Sequence, residues 1–511
     1  MNYLPRDNTT RFISTIVCAG LAVFINYAIS MVLTSYITSN MGTDAYGFVS
    51  LAKSFSQYAT IFTAGLNSYA ARFISLAHHK KDYESEKKYF NSVFFANIFL
   101  SAIILFISAF VVLFLDNLIN IPSHLVPQVK ILFLLNFANY LVLSTGTCFS
   151  VYGHIQNKLA IVNTVKIIAY TTEAVALILM FLILSPKLYF VGIALIISSV
   201  TILSCDALIC KKSLPSLKLN YNYFSIKAVK ELLVSGIWNS INSLGNLLNT
   251  GLDLLITNLM LTATAMGQLS IVKTLSTIFV TLFQTITLPW QPILLKKHST
   301  NDTLGTVSSF KHGIKTTAFF SNLLFAGLLS YGITYFTLWT PSENTSLLYK
   351  LLLITLFGMI IEGAAYPLLY TYTLTLKNKL PCYVTIGSGL LNVLGMYLLL
   401  SFTSMGIYSI VLTTSILAWL VYFIFTPLYT AHCLKVKWFT FYPTIIRVLI
   451  AGIGCTFICF AISHIYSPTS WIGLILSAMI CVIVCAPIYV LMVVSKSELK
   501  TIISKFLKRK I

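Results

Sequence analysis

Along most of the chain, apolar residues run for roughly twenty positions or more before a short polar interruption, without the alternation of a barrel strand. Each run is long enough to cross a hydrocarbon core of roughly 30 Å as a helix, at a rise of ~1.5 Å per residue. Helices are the form expected, because in lipid every backbone N–H and C=O must be satisfied within its own segment. The pattern predicts about fourteen crossings, starting near residues 12, 47, 90, 128, 160, 187, 232, 263, 313, 347, 381, 406, 445 and 471. The second is the least apolar: Ser54, Ser56, Gln57, Thr60 and Asn67 interrupt it, as in a helix that lines a water-filled cavity. The expected fold class is an all-α polytopic membrane protein.

Two of the segments repeat one another. Tyr46-Gly47-Phe48-Val49-Ser50-Leu51-Ala52-Lys53-Ser54-Phe55-Ser56 is matched by Met266-Gly267-Gln268-Leu269-Ser270-Ile271-Val272-Lys273-Thr274-Leu275-Ser276, and 273 − 53 = 220. The same offset pairs Asn26 with Asn246 and Ser30 with Thr250, while Asn157-Lys158-Leu159 returns as Asn378-Lys379-Leu380 at offset 221. A repeat of six helices follows: a first bundle over residues 1–215, a second over 216–435, and two added helices with a basic tail over 436–511. An even number of crossings leaves both copies in the same orientation, which predicts parallel bundles with a substrate site between them.

Composition sharpens the class: 57% hydrophobic against 9% charged residues is not compatible with a water-soluble fold. The net charge of +20 would suggest nucleic acid in a soluble protein, but here it lies in short loops. Alternate loops carry the lysines: Lys80-Lys81 with Lys87-Lys88, Lys158, Lys211-Lys212 with Lys218 and Lys227, Lys296-Lys297, Lys377 with Lys379, Lys435 with Lys437, and the tail from Lys505 to Lys510. The distribution predicts that these loops and both termini are cytoplasmic, touching anionic membrane lipids, and no nucleic-acid partner is expected. Trp290 and Trp438 fall at predicted inner boundaries, Trp339 and Trp471 at outer ones. The first apolar run is too long for a cleavable signal peptide. The ten cysteines read as small apolar residues and the His78-His79 pair as part of a basic turn, so no metal site is expected. No Gly-rich phosphate loop is present, which argues against ATP hydrolysis, and no cofactor is expected. A secondary transporter, a channel or an intramembrane enzyme remain.

Charge inside the membrane marks candidate function, being costly there by default. Lys53 and Lys273 lie about 10 Å below the outer surface, and Asp253 reaches a comparable depth. Asp253 and Lys273 either neutralise one another or face the cavity. Lys53 has no evident acidic partner at its depth, which favours a cavity position where it attracts an anionic substrate. Lys166 and Glu173 share one face of the fifth helix about 10 Å apart, too far to pair directly. Glu362, beside Gly363 and near Pro367, falls where the tenth helix should loosen, and is either a proton or cation site or a protonated carboxyl held in the bundle. Glu362, Glu173 and Lys166 are the coupling candidates.

Met41-Gly42-Thr43-Asp44-Ala45-Tyr46-Gly47, the polar second helix, Gly65-Leu66 and Ala71-Arg72-Phe73-Ile74-Ser75 resemble the opening of polysaccharide flippases in the multidrug/oligosaccharidyl-lipid/polysaccharide exporter superfamily. Ser235-Gly236-Ile237-Trp238-Asn239-Ser240-Ile241-Asn242, continued through Asp253 to Lys273, resembles the opening of their second half. The resemblance implies two six-helix bundles that open alternately to each membrane face, and a cargo of oligosaccharide on undecaprenyl diphosphate. It implies that Lys53 and Lys273 hold the diphosphate while Asn26, Ser54, Ser56, Gln57, Asn246, Asn249 and Thr274 face the cavity. It also implies a bacterial plasma membrane and, as protein partners, a polysaccharide polymerase and chain-length machinery.

Three rivals remain. A multidrug antiporter would want an acidic cavity. The lipid II flippase branch shares the two extra helices but is richer in intramembrane arginine. A membrane-embedded polysaccharide polymerase would carry a large external loop, whereas the outer loops here are short.

Overall fold

A computed structural model of the chain describes residues 6–494, with side chains from Ser14 onward apart from Ile16. The tail from Lys505 to Lys510 lies outside the described residues. Among them every regular element is helical. The helices α1 (Arg6–Met41) and α2 (Thr43–His79) are separated only by Gly42, whose φ of 93° is the left-handed geometry that glycine adopts without cost. Asp82 caps α3 (Tyr83–Leu113) by accepting the Ser85 N–H. Next come α4 (Val126–Gly146), which runs on through a 3-10 turn (Thr147–Ser150) and a short helix (Val151–Ile155), α5 (Leu159–Ile183) and α6 (Tyr189–Ser213). A strap over residues 214–225 leads to α7 (Ile226–Asn246), which passes through a π-helical turn (Leu247–Gly251) into a short helix (Asp253–Met260).

The remaining long helices are α8 (Ala263–Thr287), α9 (Thr303–Trp339), α10 (Thr345–Ala365), α11 (Lys379–Phe402), α12 (Tyr408–Trp419), α13 (Tyr442–Ile465) and α14 (Trp471–Val493). After α10 the chain tightens into a 3-10 turn, Tyr366–Leu369, at Pro367, where loosening was expected. A second π-helical turn, Leu420–Phe425, follows α12.

Among the described residues, twelve helices are long and apolar enough to cross a membrane. The expected fourteen are not reached by this measure, because α2 and α7 are too polar along their length. Large apolar side chains stand exposed on many helices, Phe106 at 80% and Phe457 at 72% among them, as suits a lipid solvent.

Contacts divide the chain into two compact units: residues 1–271 with 382–407, and residues 272–381 with 408–511. These do not follow the chain halves 1–215 and 216–435, since α7, the start of α8 and most of α11 group with the first six helices.

In the first unit α2 is the central element, packed against α3, α4 and α7. Lipid offers no hydrophobic drive between helices, so close approach through small residues has to supply the attraction. Gly65 and Gly236 do so where α2 crosses α7: a Cβ on Gly236 would run into the Gly65 carbonyl, and the Ser240 hydroxyl donates to the Ile61 carbonyl at 3.3 Å. Toward the other end of α2, the repeat-related Gly47 and Gly267 meet each other, a Cβ on Gly47 falling 2.9 Å from the Gly267 Cα.

In the second unit α9 packs along α13, where Asn322 donates its amide to the Val448 carbonyl at 2.7 Å beside Gly452. Cys459 and Cys485 lie with their sulfurs 3.7 Å apart between α13 and α14, buried as small apolar groups with free thiols. Trp339, expected at an outer boundary, is 1% exposed, stacked on Phe336 and packed on Tyr335 within the unit.

Candidate functional site

The candidate residues of the first unit gather around α2. Lys53 is half-buried, with Ser54 and Ser56 beside it and Gln57, one turn later, exposed. Ser54 donates to the Ser50 carbonyl at 3.1 Å and Ser56 to the Ala52 carbonyl at 3.3 Å. Each proton is satisfied within the helix, while the hydroxyl oxygens keep lone pairs to accept from another donor.

Lys53 does have an acidic counterpart, supplied by α5. Glu173, 6% exposed, lies within Coulombic range of the Lys53 ammonium, with the Ser198 hydroxyl of α6 beside its carboxyl. Lys166 is exposed on α5 and senses a different partner, Asp206 of α6, whose carboxylate accepts the Tyr152 hydroxyl at 2.8 Å. The two charges of α5, which do not pair with each other, are thus each opposed by a charge on another helix.

Asn246 on α7 and Asn26 on α1 are both exposed. Asn249 sits in the π-helical turn, and its amide ties α7 to α11: Nδ2 donates to the Gly245 carbonyl at 2.8 Å and the Thr385 carbonyl at 2.7 Å, while Oδ1 accepts the Ser388 hydroxyl at 3.1 Å. Asn392 of α11 donates to the Asn249 carbonyl at 2.6 Å. The wide turn breaks the regular ladder, and the Tyr58 hydroxyl of α2 donates to the Gly251 carbonyl at 2.5 Å. Asp253, 5% exposed, opens the next helix within Coulombic range of Tyr58. Tyr58 of α2 thus ties that helix to the end of the π-helical turn, next to Asp253.

In the second unit Lys273 and Thr274 are half-buried on α8. Glu362 is half-buried on α10, and the Tyr422 hydroxyl donates to its Oε1 at 3.2 Å. Tyr422 belongs to the π-helical turn Leu420–Phe425. Nothing in Leu420-Val421-Tyr422-Phe423-Ile424-Phe425 sets that tyrosine apart along the chain. Among the described residues no group of three metal-ligating side chains comes together.

Known proteins extend these observations. Over 504 residues, covering 98% of both chains, the protein is 27% identical to the uncharacterized membrane protein EpsK of Bacillus subtilis (strain 168). Its fold is similar to the inward closed conformation of the lipid II flippase MurJ, with a TM-score of 0.64 and 16% identity over 94% of this chain and 99% of that one. It is also similar to the inward-facing conformation of a MATE-family multidrug resistance transporter of the MOP superfamily, with a TM-score of 0.63 and 13% identity over 83% of this chain and 96% of that one. At such identities the likeness speaks for the fold alone. The family described as polysaccharide biosynthesis protein matches residues 14–297, more than half of the sequence, and the chain belongs to it.

Proposed function

We propose that this protein moves oligosaccharide linked to a polyprenyl diphosphate from the cytoplasmic to the outer leaflet of a bacterial plasma membrane, by alternating access, for assembly of a surface polysaccharide. The observation that carries the reading is the lysine at the same place of both sequence copies, Lys53 and Lys273, in a chain of a polysaccharide-biosynthesis family with the fold of a lipid flippase. A diphosphate bearing a sugar cannot enter hydrocarbon unaided, so a route across needs compensating cations and hydroxyls, while the polyprenyl chain remains in lipid. Ammonium groups supply charge-assisted hydrogen bonds to phosphate oxygens, and Ser54, Ser56, Gln57 and Thr274 lie next to them with the donors and acceptors sugars require. Asn26, Asn246 and Asp253 extend this polar set, and Glu362, Glu173 and Lys166 are the groups through which an ion gradient would act. Cations at both repeat positions disfavour a cationic drug as cargo.

The test is depletion of the protein in its native cell, with mass spectrometry of the accumulated polyprenyl-diphosphate glycans and an impermeant sugar-modifying reagent to score the leaflet. Complete repeat units protected inside support the reading. Units that reach the outer leaflet but stay unpolymerised would mark the protein as a polymerase, and no accumulation at all would favour a drug exporter.

A further inference from the structure

The strap that joins α6 to α7 is an ordered part of the first unit. Asn91 of α3, fully buried, donates its amide to the Lys218 carbonyl at 3.2 Å and accepts the Asn220 N–H at 2.8 Å. Ser92, also buried, accepts the Ser225 N–H at 3.0 Å and donates to the Ser225 carbonyl at 3.4 Å. Tyr221 stacks on Phe224 and meets Phe95 of α3 edge-on. Two buried polar side chains and an aromatic cluster therefore fix twelve residues that contain no long helix of their own.

Held this way, the strap and the first turns of α3 enclose a cavity of about 550 Å³ lined by Tyr83, Lys87, Pro215, Ser216, Lys218, Asn220 and Tyr223. Its two charged lining residues are both cations, Lys87 from α3 and Lys218 from the strap. The Lys87 ammonium stands over the Tyr223 ring at 5.2 Å, and its one acidic contact, Glu84 at 3.3 Å, is 75% exposed and easily exchanged for a stronger anion. Ser216 and Asn220 add neutral donors between the cations, and Tyr83 and Tyr223 add flat apolar walls. The lysine distribution places this mouth at the cytoplasmic face.

From this geometry we infer that the cavity is a second anion site, separate from Lys53 and Lys273, that takes a phosphate group borne on an apolar or aromatic body. Two ammoniums lining one cavity suit the spread charge of a phosphate, and the tyrosines accommodate what is attached to it. Two sources offer that chemistry at this face: the headgroup of an anionic phospholipid, whose negative leaflet attracts lysines, and a soluble nucleotide. Because the site clasps the strap onto α3, occupation would stiffen the connection between α6 and α7. The inference does not depend on what the protein transports.

Native mass spectrometry of the full chain in detergent micelles tests it, with phosphatidylglycerol, phosphatidylcholine and ADP as probes. The wild type should retain phosphatidylglycerol or ADP about tenfold better than phosphatidylcholine, Lys87→Ala/Lys218→Ala should abolish the preference, and Lys87→Arg/Lys218→Arg should restore most of it. Lys80→Ala/Lys81→Ala removes the same net charge outside the cavity and should leave the preference intact. Site-dependent retention of phosphatidylglycerol that ADP does not displace identifies the lipid, and displacement by ADP identifies a soluble phosphate. Equal loss in both alanine pairs would reduce the effect to diffuse surface charge. That result, or no preference in the wild type, overturns the inference.

Discussion

The two units hold their intramembrane carboxyls in opposite ways. In the first, Glu173 is buried and opposed by the Lys53 charge from another helix, with Ser198 beside it. In the second, Glu362 is half-buried and met by a neutral phenol, Tyr422. A carboxylate with a counter-charge is tied to the state of its partner, and the pair acts as one element. A carboxyl with a neutral donor can gain or lose a proton on its own terms. The difference separates the two candidates: Glu173 is buried with a cation within electrostatic reach, whereas Glu362 is met by a neutral hydrogen-bond donor.

The largest effect that would break this comparison is at the lysines. Lys53→Ala and Lys273→Ala should each abolish export, read as loss of surface polymer, with protein levels kept near wild type. Glu173, once deprived of its counter-charge, can take up a proton in place of remaining a buried anion. Lysine-to-arginine variants should recover part of the export, because the charge survives but its shape differs. Loss of the protein itself would assign the lysines a purely structural role.

A smaller effect sharpens the pair. A double-mutant cycle on thermal stability with Lys53→Ala and Glu173→Gln should give a coupling on the order of 1 kcal/mol, and additive single effects would mean that the two charges ignore each other. At Glu362, substitution by Gln retains an acceptor for Tyr422, so stability should change little while the dependence of export on pH or sodium changes. Export that keeps its wild-type pH and sodium response would remove Glu362 from the mechanism. Tyr422→Phe should cost about 1 kcal/mol of stability for the lost hydrogen bond.

Smallest is a surface effect. Lys130 contacts Asp116 at 2.7 Å and holds its carboxyl below the usual range. A folded value depressed in this way contributes stability above the unfolded value of about 3.9, which is lost as pH falls through the lower folded one. Asp116→Asn should therefore shift the melting temperature slightly at neutral pH and not at all in strong acid, because exposed pairs contribute little.

Much of this architecture was legible in the sequence, because long apolar runs have few alternatives in lipid. Helix starts near 263 and 471 coincide with Ala263 and Trp471, and the helix after Glu362 changes form at Pro367, by tightening into a 3-10 turn. The repeat at offset 220 pointed to Gly47 and Gly267, though not to their contact, which depends on how two helices cross. Partnerships were the illegible part. Glu173 reaches Lys53 only through the packing of α5, and Asn249, which reads along the sequence as a cavity residue, has its amide bound to α11. The π-helical turns carry no composition of their own, since tertiary hydrogen bonds such as Tyr58 to Gly251 accompany them. Trp339 resembled an interfacial tryptophan because the apolar run ends there, and aromatic stacking within the unit buries it.

The most direct measurement is reconstitution of the purified protein in liposomes loaded with a polyprenyl-diphosphate oligosaccharide, timing its exposure to an impermeant sugar-modifying reagent. The account predicts rapid exposure with the wild type and protein-free rates with Lys53→Ala and Lys273→Ala, each verified as folded by its melting curve. Wild-type exposure no faster than in empty liposomes under an imposed proton, sodium or voltage gradient, or undiminished exposure in both lysine variants, would contradict it.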